Sequence, residues 1–172
     1  MIITQEQLKE LLGYDPKTGI FTWKITRNGK AYAGSIAGSV WWSRKRFGKE
    51  PSDDNKYISI KVYGKIYAAH RLAFLYVHGY MPKEVDHKDN HGLHNWIDNL
   101  RECTKSQNNF NKCKLRNNTS GYKGVSESQG KWRAQIHCNR EYYSKRGFDT
   151  PELAFEWYKT MAVNLHGEFA CF

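Results

Sequence analysis

A polar stretch, KLRNNTS at residues 114–120, divides this chain of 172 residues. It has neither the helical nor the strand spacing of apolar residues, so it reads as a linker. The region ahead of it, 1–113, has the length of an ordinary domain. The region behind it, 121–172, reads as a small module of strands and one helix. The chain is 40% hydrophobic and 15% aromatic, enough to bury cores and too much for a disordered tract. No apolar run reaches the roughly 20 residues that a membrane span needs. The opening MIITQEQLKELLGY reads as a short helix without the basic start of a signal peptide, which leads us to expect a cytoplasmic protein.

The formal net charge is +10, carried beside six Trp and eleven Tyr. A polyanionic partner, above all nucleic acid, suits that balance; a solvated basic surface is the blander reading. The cysteines, Cys103, Cys113, Cys138 and Cys171, form no CxxC pair, which argues against a zinc-supported fold and for reduced, packed thiols.

Thr4 and Gln7 make a capping box, Leu8, Leu11 and Leu12 give the first helix its apolar face, and Gly13 is read as its end. The alternation of Phe21, Trp23 and Ile25 in IFTWKI predicts a strand over 20–25. A loop should follow in which Trp41, Trp42, Arg44, Lys45 and Arg46 interleave aromatics with cations. Such a loop can stack bases and touch phosphates, or it can be a surface loop pinned by two Trp. YISIKV and KIYAA read as a hairpin around Tyr63-Gly64, and His70 to His78, closed by Gly79, as a helix on that sheet with His70 and His78 structural.

The segment 84–113 carries the chemistry. EVDH reads as a short strand that delivers Asp86 and His87, and residues 88–98 as a polar loop. LREC returns as a second strand, and the capping box of Thr104 and Gln107 starts a helix bearing Asn108. Phosphodiester hydrolysis needs a base for water, a metal against the phosphate charge, and something to orient the base. An imidazole titrates in the right range, so His87 suits the base. A carboxylate with an amide oxygen suits magnesium, so Asp86 and Asn108 are candidate ligands; Asn109, beside Asn108, is the alternative. Asn99 can tie the loop to the strand, and Asp89 and His94 stand near enough in sequence to assist.

VDHKDN…HNWIDNLRECTKSQNN resembles the HNH (His-Asn-His) homing endonucleases, in particular the phage type whose last His is Asn, and GKIYAAHRLAFLYVHG resembles the segment leading into that motif. The resemblance implies a beta-beta-alpha-metal core, His87 as general base, Asn99 as the loop-holding residue, Asp86 and Asn108 as ligands of Mg2+ (or Mn2+), and double-stranded DNA as substrate.

From Gly121 the pattern changes. YKGV, KWRAQIHC and EYYSKRGF read as three strands with turns at 126–130 and 139–140, and Thr150 caps a helix with Pro151 at its first position. Strand alternation puts Lys131, Arg133, Gln135 and His137 on one face and Trp132, Ala134 and Ile136 on the other. Arg and Gln can read guanine and adenine edges, whereas Lys123, Arg140, Lys145 and Arg146 suit phosphates. GYKGV, GKWRAQI, FDTPELAF and LHGEFA resemble the ethylene-response-factor (Apetala-type) DNA-binding domain, which implies a three-stranded antiparallel sheet packed on one helix and laid in a major groove. Ser126 and Ser128 stand where plant members place arginines, Ser144 where they place tryptophan, and Arg146 where glycine is common, so only the docking mode carries over.

The expected whole is an α+β protein with an HNH core and a DNA-binding sheet, acting as a monomeric, phage- or mobile-element-encoded endonuclease. The competing expectation is a non-catalytic DNA-binding regulator on a decayed HNH fold. An RNA-binding protein fits less well, because the deep major groove of A-form RNA excludes side chains.

Overall fold

The computed structural model describes residues 3–27, 31–42, 56–112, 114 and 118–172. They fall into two compact units, Met1–Cys103 and Thr104–Phe172. The first unit opens with α1 (Gln5–Leu11), capped by the reciprocal bonds of Thr4 and Gln7. That helix does not run to Gly13. Leu12 turns extended, at φ −128° and ψ 140°, and β1 (Leu12–Tyr14) pairs antiparallel with β2 (Phe21–Trp23). The switch keeps Leu12 fully buried while opening its backbone to Trp23 across the ladder. The β2 strand is shorter than the 20–25 expected: Phe21 and Trp23 are buried, but Ile25 is exposed.

Trp41 and Trp42, read from sequence as part of a loop, belong to a strand, β3 (Ser39–Trp42). β3 pairs with β4 (Lys56–Val62), and β4 pairs with β5 (Lys65–Ala68), so β4 is central. The β4–β5 turn at Tyr63-Gly64 has both φ positive, 47° and 78°, the hand that matches strand twist in a tight hairpin. α2 (Ala69–His78) follows and ends on Gly79 at φ 80°. Leu72, Ala73 and Leu75 of α2 join Leu8, Leu12, Ile60 and Val62 in one core. Burying such aliphatic side chains contributes roughly 1.5–3 kcal/mol each before chain entropy is counted. β6 (Glu84–His87) and β7 (Leu100–Cys103) form a separate two-stranded antiparallel hairpin, docked on the core by Val85 and Leu100.

The second unit starts with α3 (Lys105–Phe110), which carries the capping box of Thr104 and Gln107. α3 belongs with this unit because the Phe110 ring stacks on His166 at 3.8 Å and Lys123 Nζ donates to Phe110 O at 2.7 Å. The sheet is antiparallel in the order β10 (Glu141–Phe148), β9 (Lys131–Cys138), β8 (Val125–Ser128). β8 begins where YKGV ends, later than expected. Gly124 sits at φ 71° with its carbonyl bonded to Gln135 N, a conformation that cannot continue a strand, and the turn falls at Gln129-Gly130. α4 (Pro151–His166) is capped by Thr150 and packs Ala154, Tyr158 and Ala162 against Val125, Ala134 and Ile136.

Candidate active site

β6 is buried on both faces. Asp86 and His87 are 5% and 6% exposed, an ionisable pair held side by side where polar groups are costly unless partnered. Hairpin register sets Asp86 opposite Arg101, whose Nε and Nη2 donate to Asp86 Oδ2 at 2.9 and 2.8 Å. The sequence reading did not single out Arg101, although a cross-strand Asp–Arg pair follows once the register is known.

His87 Nε2 lies 3.1 Å from Asn95 Oδ1. Asn95 Nδ2 donates to Leu93 O at 3.1 Å, which fixes the amide and turns its oxygen to the imidazole. Nε2 then carries a ring proton. Burial pushes the His87 imidazole below its ordinary pKa; the Asn95 bond and the Asp89 and Asp86 charges oppose that shift without cancelling it. His87 is also walled by two rings from neighbouring elements: His70 of α2 at 5.0 Å, edge-on, and Tyr57 of β4 at 6.1 Å. His70, expected to be structural, is buried, and its Nδ1 has no hydrogen-bond partner among the described residues. Burial, followed by the neighbouring His87 and Arg71, depresses its pKa to about 3.

Residues 88–98 are drawn together by two side chains. Asn99, buried at 5% exposure, accepts from Asp89 N at 3.1 Å and donates to Asp89 Oδ1 and His94 O, each at 2.9 Å. Asp89 Oδ1 also accepts from His91 N at 2.9 Å, and Asp89 Oδ2 lies 2.6 Å from His94 Nδ1. Burial raises the Asp89 pKa, but these hydrogen bonds outweigh it and the carboxyl titrates below its ordinary value. His91 and His94 stack at 3.9 Å, and His94 lies 4.6 Å from Trp96.

Asn108 stands on α3, in the second unit. Asn109 Oδ1 accepts from Lys112 Nζ at 2.6 Å, while the Asn108 amide makes no hydrogen bond among the described residues. Among the described residues no three His, Cys, Asp or Glu side chains gather as a metal site. The donors that the sequence nominates, a carboxylate and an amide oxygen, nevertheless suit a hard ion that keeps several waters.

Residues 67–110 match the HNH endonuclease family, a span that runs from β5 through α2, β6 and β7 to the end of α3. Protein 3.8 of Escherichia phage T7 is 33% identical over 119 residues, 65% of this chain and 98% of that protein. The chain belongs to the HNH endonuclease family. It is also 36% identical over 105 residues to the Acanthamoeba polyphaga mimivirus protein named Uncharacterized HNH endonuclease L560; 59% of this chain is covered, and it spans about half, 54%, of that relative. No solved structure matches.

Beyond the HNH match lies the C-terminal sheet. Register places Ser126 and Arg146 on either side of Arg133, and Ser144 and Tyr142 beside Gln135 and His137. One face therefore gathers Lys131, Arg133, Gln135, His137, Tyr142, Ser144 and Arg146, opposite the face that meets α4. Some of these groups are already engaged: Lys131 pairs with Asp149, Arg133 Nη2 donates to Ser126 Oγ at 3.3 Å, and Tyr142 donates to Gln135 Oε1 at 2.9 Å. Lys145, grouped from sequence with the phosphate contacts, pairs across from Ala134, so it belongs to the α4 side, with Nζ 5.6 Å from the Phe148 ring centroid. Lys123 is part-buried, donating to Phe110 O and Cys171 O at 2.7 and 3.1 Å. Arg140 is exposed in the β9–β10 turn at φ 70°. In the HNH-bearing unit, Trp41 pairs across from Tyr57 and is 55% exposed. Arg44 and Arg46 lie outside the described residues. No helix among the described residues is long and apolar enough to cross a membrane.

Proposed function

We propose that this chain is a divalent-metal-dependent DNA endonuclease of the homing type, encoded by a phage or mobile element. One observation carries the reading: Asp86 and His87 are buried side by side on a hairpin whose loop is tied by Asn99. Desolvated ionisable groups set side by side are enriched where chemistry is done.

His87 acts as general base. Its ring is held through Nε2 on Asn95 Oδ1 and takes a proton from the attacking water. The neutral ring that burial favours is the form that can do so at pH 7. Asn99 positions the base by fixing the loop that holds Asn95. Asp86 and Asn108 would hold Mg2+ (or Mn2+), with Asn108 preferred to Asn109, whose amide oxygen Lys112 already engages. The ion would neutralise charge on the scissile phosphate and the leaving oxygen. The C-terminal sheet docks in the major groove in the Apetala manner, with Arg133 and Gln135 facing base edges and Trp41 stacking bases beside the HNH core. With one such centre per chain, a monomer cuts one strand.

The test is conversion of supercoiled DNA carrying candidate target sequence. Open circles that form with Mg2+ or Mn2+ and not with a chelator support the reading, and their excess over linear product reports single-strand cutting. Supercoiled DNA left intact under both ions would leave a DNA-binding regulator in its place.

A further inference from the structure

The second unit holds an open groove of about 660 Å³, bounded by α3, by Lys112, Lys114, Asn118 and Thr119, and by the far end of β9. Its lining includes Lys112, Lys114, Lys123 and Arg140, and among the described residues no Asp or Glu side chain lines it. Lys112 and Lys114 bond to neutral partners. Lys112 Nζ donates to the Asn109 amide at 2.6 Å, and Lys114 Nζ to Gly121 O at 2.8 Å. Such bonds aim an ammonium group without cancelling its charge. On the sheet face the case is different, since Lys131 is neutralised by Asp149.

We propose that this groove seats backbone phosphates of duplex DNA, an inference that rests on the nuclease reading above. Its lining argues for the polymer over a small anion. Gln135 and His137, from the face assigned to base edges, and Asn109, next to the nominated ligand Asn108, all belong to its lining. The positive lining thus links the reading face of the sheet to the helix that bears the metal ligand. A strand leaving the sheet meets fixed cations before it reaches α3. Phosphate contacts of this kind position the duplex and carry no sequence information.

The experiment measures affinity of the full chain for a short duplex, without metal, across a salt series. Wild type is compared with the Lys112→Gln/Lys114→Gln protein and with a Lys159→Gln control outside the groove. Each phosphate contact adds about 0.9 to the slope of log affinity against log salt, so the double variant should lose about 1.8 of it. The loss should be the same on unrelated sequences, and the control should keep the wild-type slope. An unchanged slope in the double variant, with wild-type binding intact, overturns the groove and leaves the nuclease reading standing. Wild type that fails to bind duplex at low salt overturns both. A mononucleotide that displaces duplex from wild type and not from the double variant overturns the polymer assignment in favour of a small-anion pocket.

Discussion

His70 enters the fold with an uncharged ring and an Nδ1 that bonds to nothing described. Its ordinary pKa of 6.5 falls to about 3 in the native state, so between these values the unfolded chain binds the extra proton. Stability must therefore decline as pH falls from about 6.5 towards 3, and above 6.5 the residue contributes no slope. A His70→Phe protein keeps the apolar contact with His87 and removes the proton. Its urea midpoint should vary less between pH 7.5 and pH 5 than that of wild type, whereas equal variation in the two proteins would refute the assignment. Asn99 makes a different prediction, because its bonds join Asp89 to His94. Asn99→Ala leaves the part-buried Asp89 N–H unpaired and should cost about 1–3 kcal/mol in urea denaturation. Strand cutting should fall with it, since the loop that holds Asn95 against His87 is then untied.

Elements were legible where local chemistry alone decides them. The capping boxes at Thr4 and Thr104, the Gly79 stop, the Thr150-Pro151 start and the Tyr63-Gly64 turn each satisfy a backbone need within a few residues, and each stands as read. Elements decided by pairing with another strand were not legible. Leu12–Tyr14 becomes a strand because β2 is there to pair with it, and Ser39–Trp42 because β4 is. The start of β8 slipped for a subtler reason: Gly124 looks like a strand residue until its left-handed φ is known. That position gives an element-scale test. A Cβ on Gly124 would strike the Tyr158 ring, and φ 71° strains any L side chain. Gly124→Ala should destabilise the second unit by more than about 1 kcal/mol, whereas Thr150→Ala should cost only about 1 kcal/mol by loss of its cap. Denaturation curves that rank the two the other way would show that Gly124 relaxes.

For the whole molecule, net charge and the VDHKDN motif pointed to a nucleic-acid enzyme before any geometry was known, and membership of the HNH family agrees. The site itself was legible as a set of residues and not as a network. Asp86, His87 and Asn99 were nominated from the chemistry of a carboxylate, an imidazole and an amide. Arg101, Asn95, His70 and Tyr57 reach His87 or Asp86 through hairpin register, loop closure and helix packing, none of which leaves a mark at short sequence spacing. Either His87 breaks phosphodiester bonds or it only occupies a well-made pocket. The decisive measurement sets wild type beside His87→Ala on the same supercoiled DNA with Mg2+, after matching their duplex affinities in a gel shift. If wild type nicks while His87→Ala binds equally and leaves the DNA supercoiled, His87 is the base. Equal nicking by both proteins would contradict the assignment at its centre.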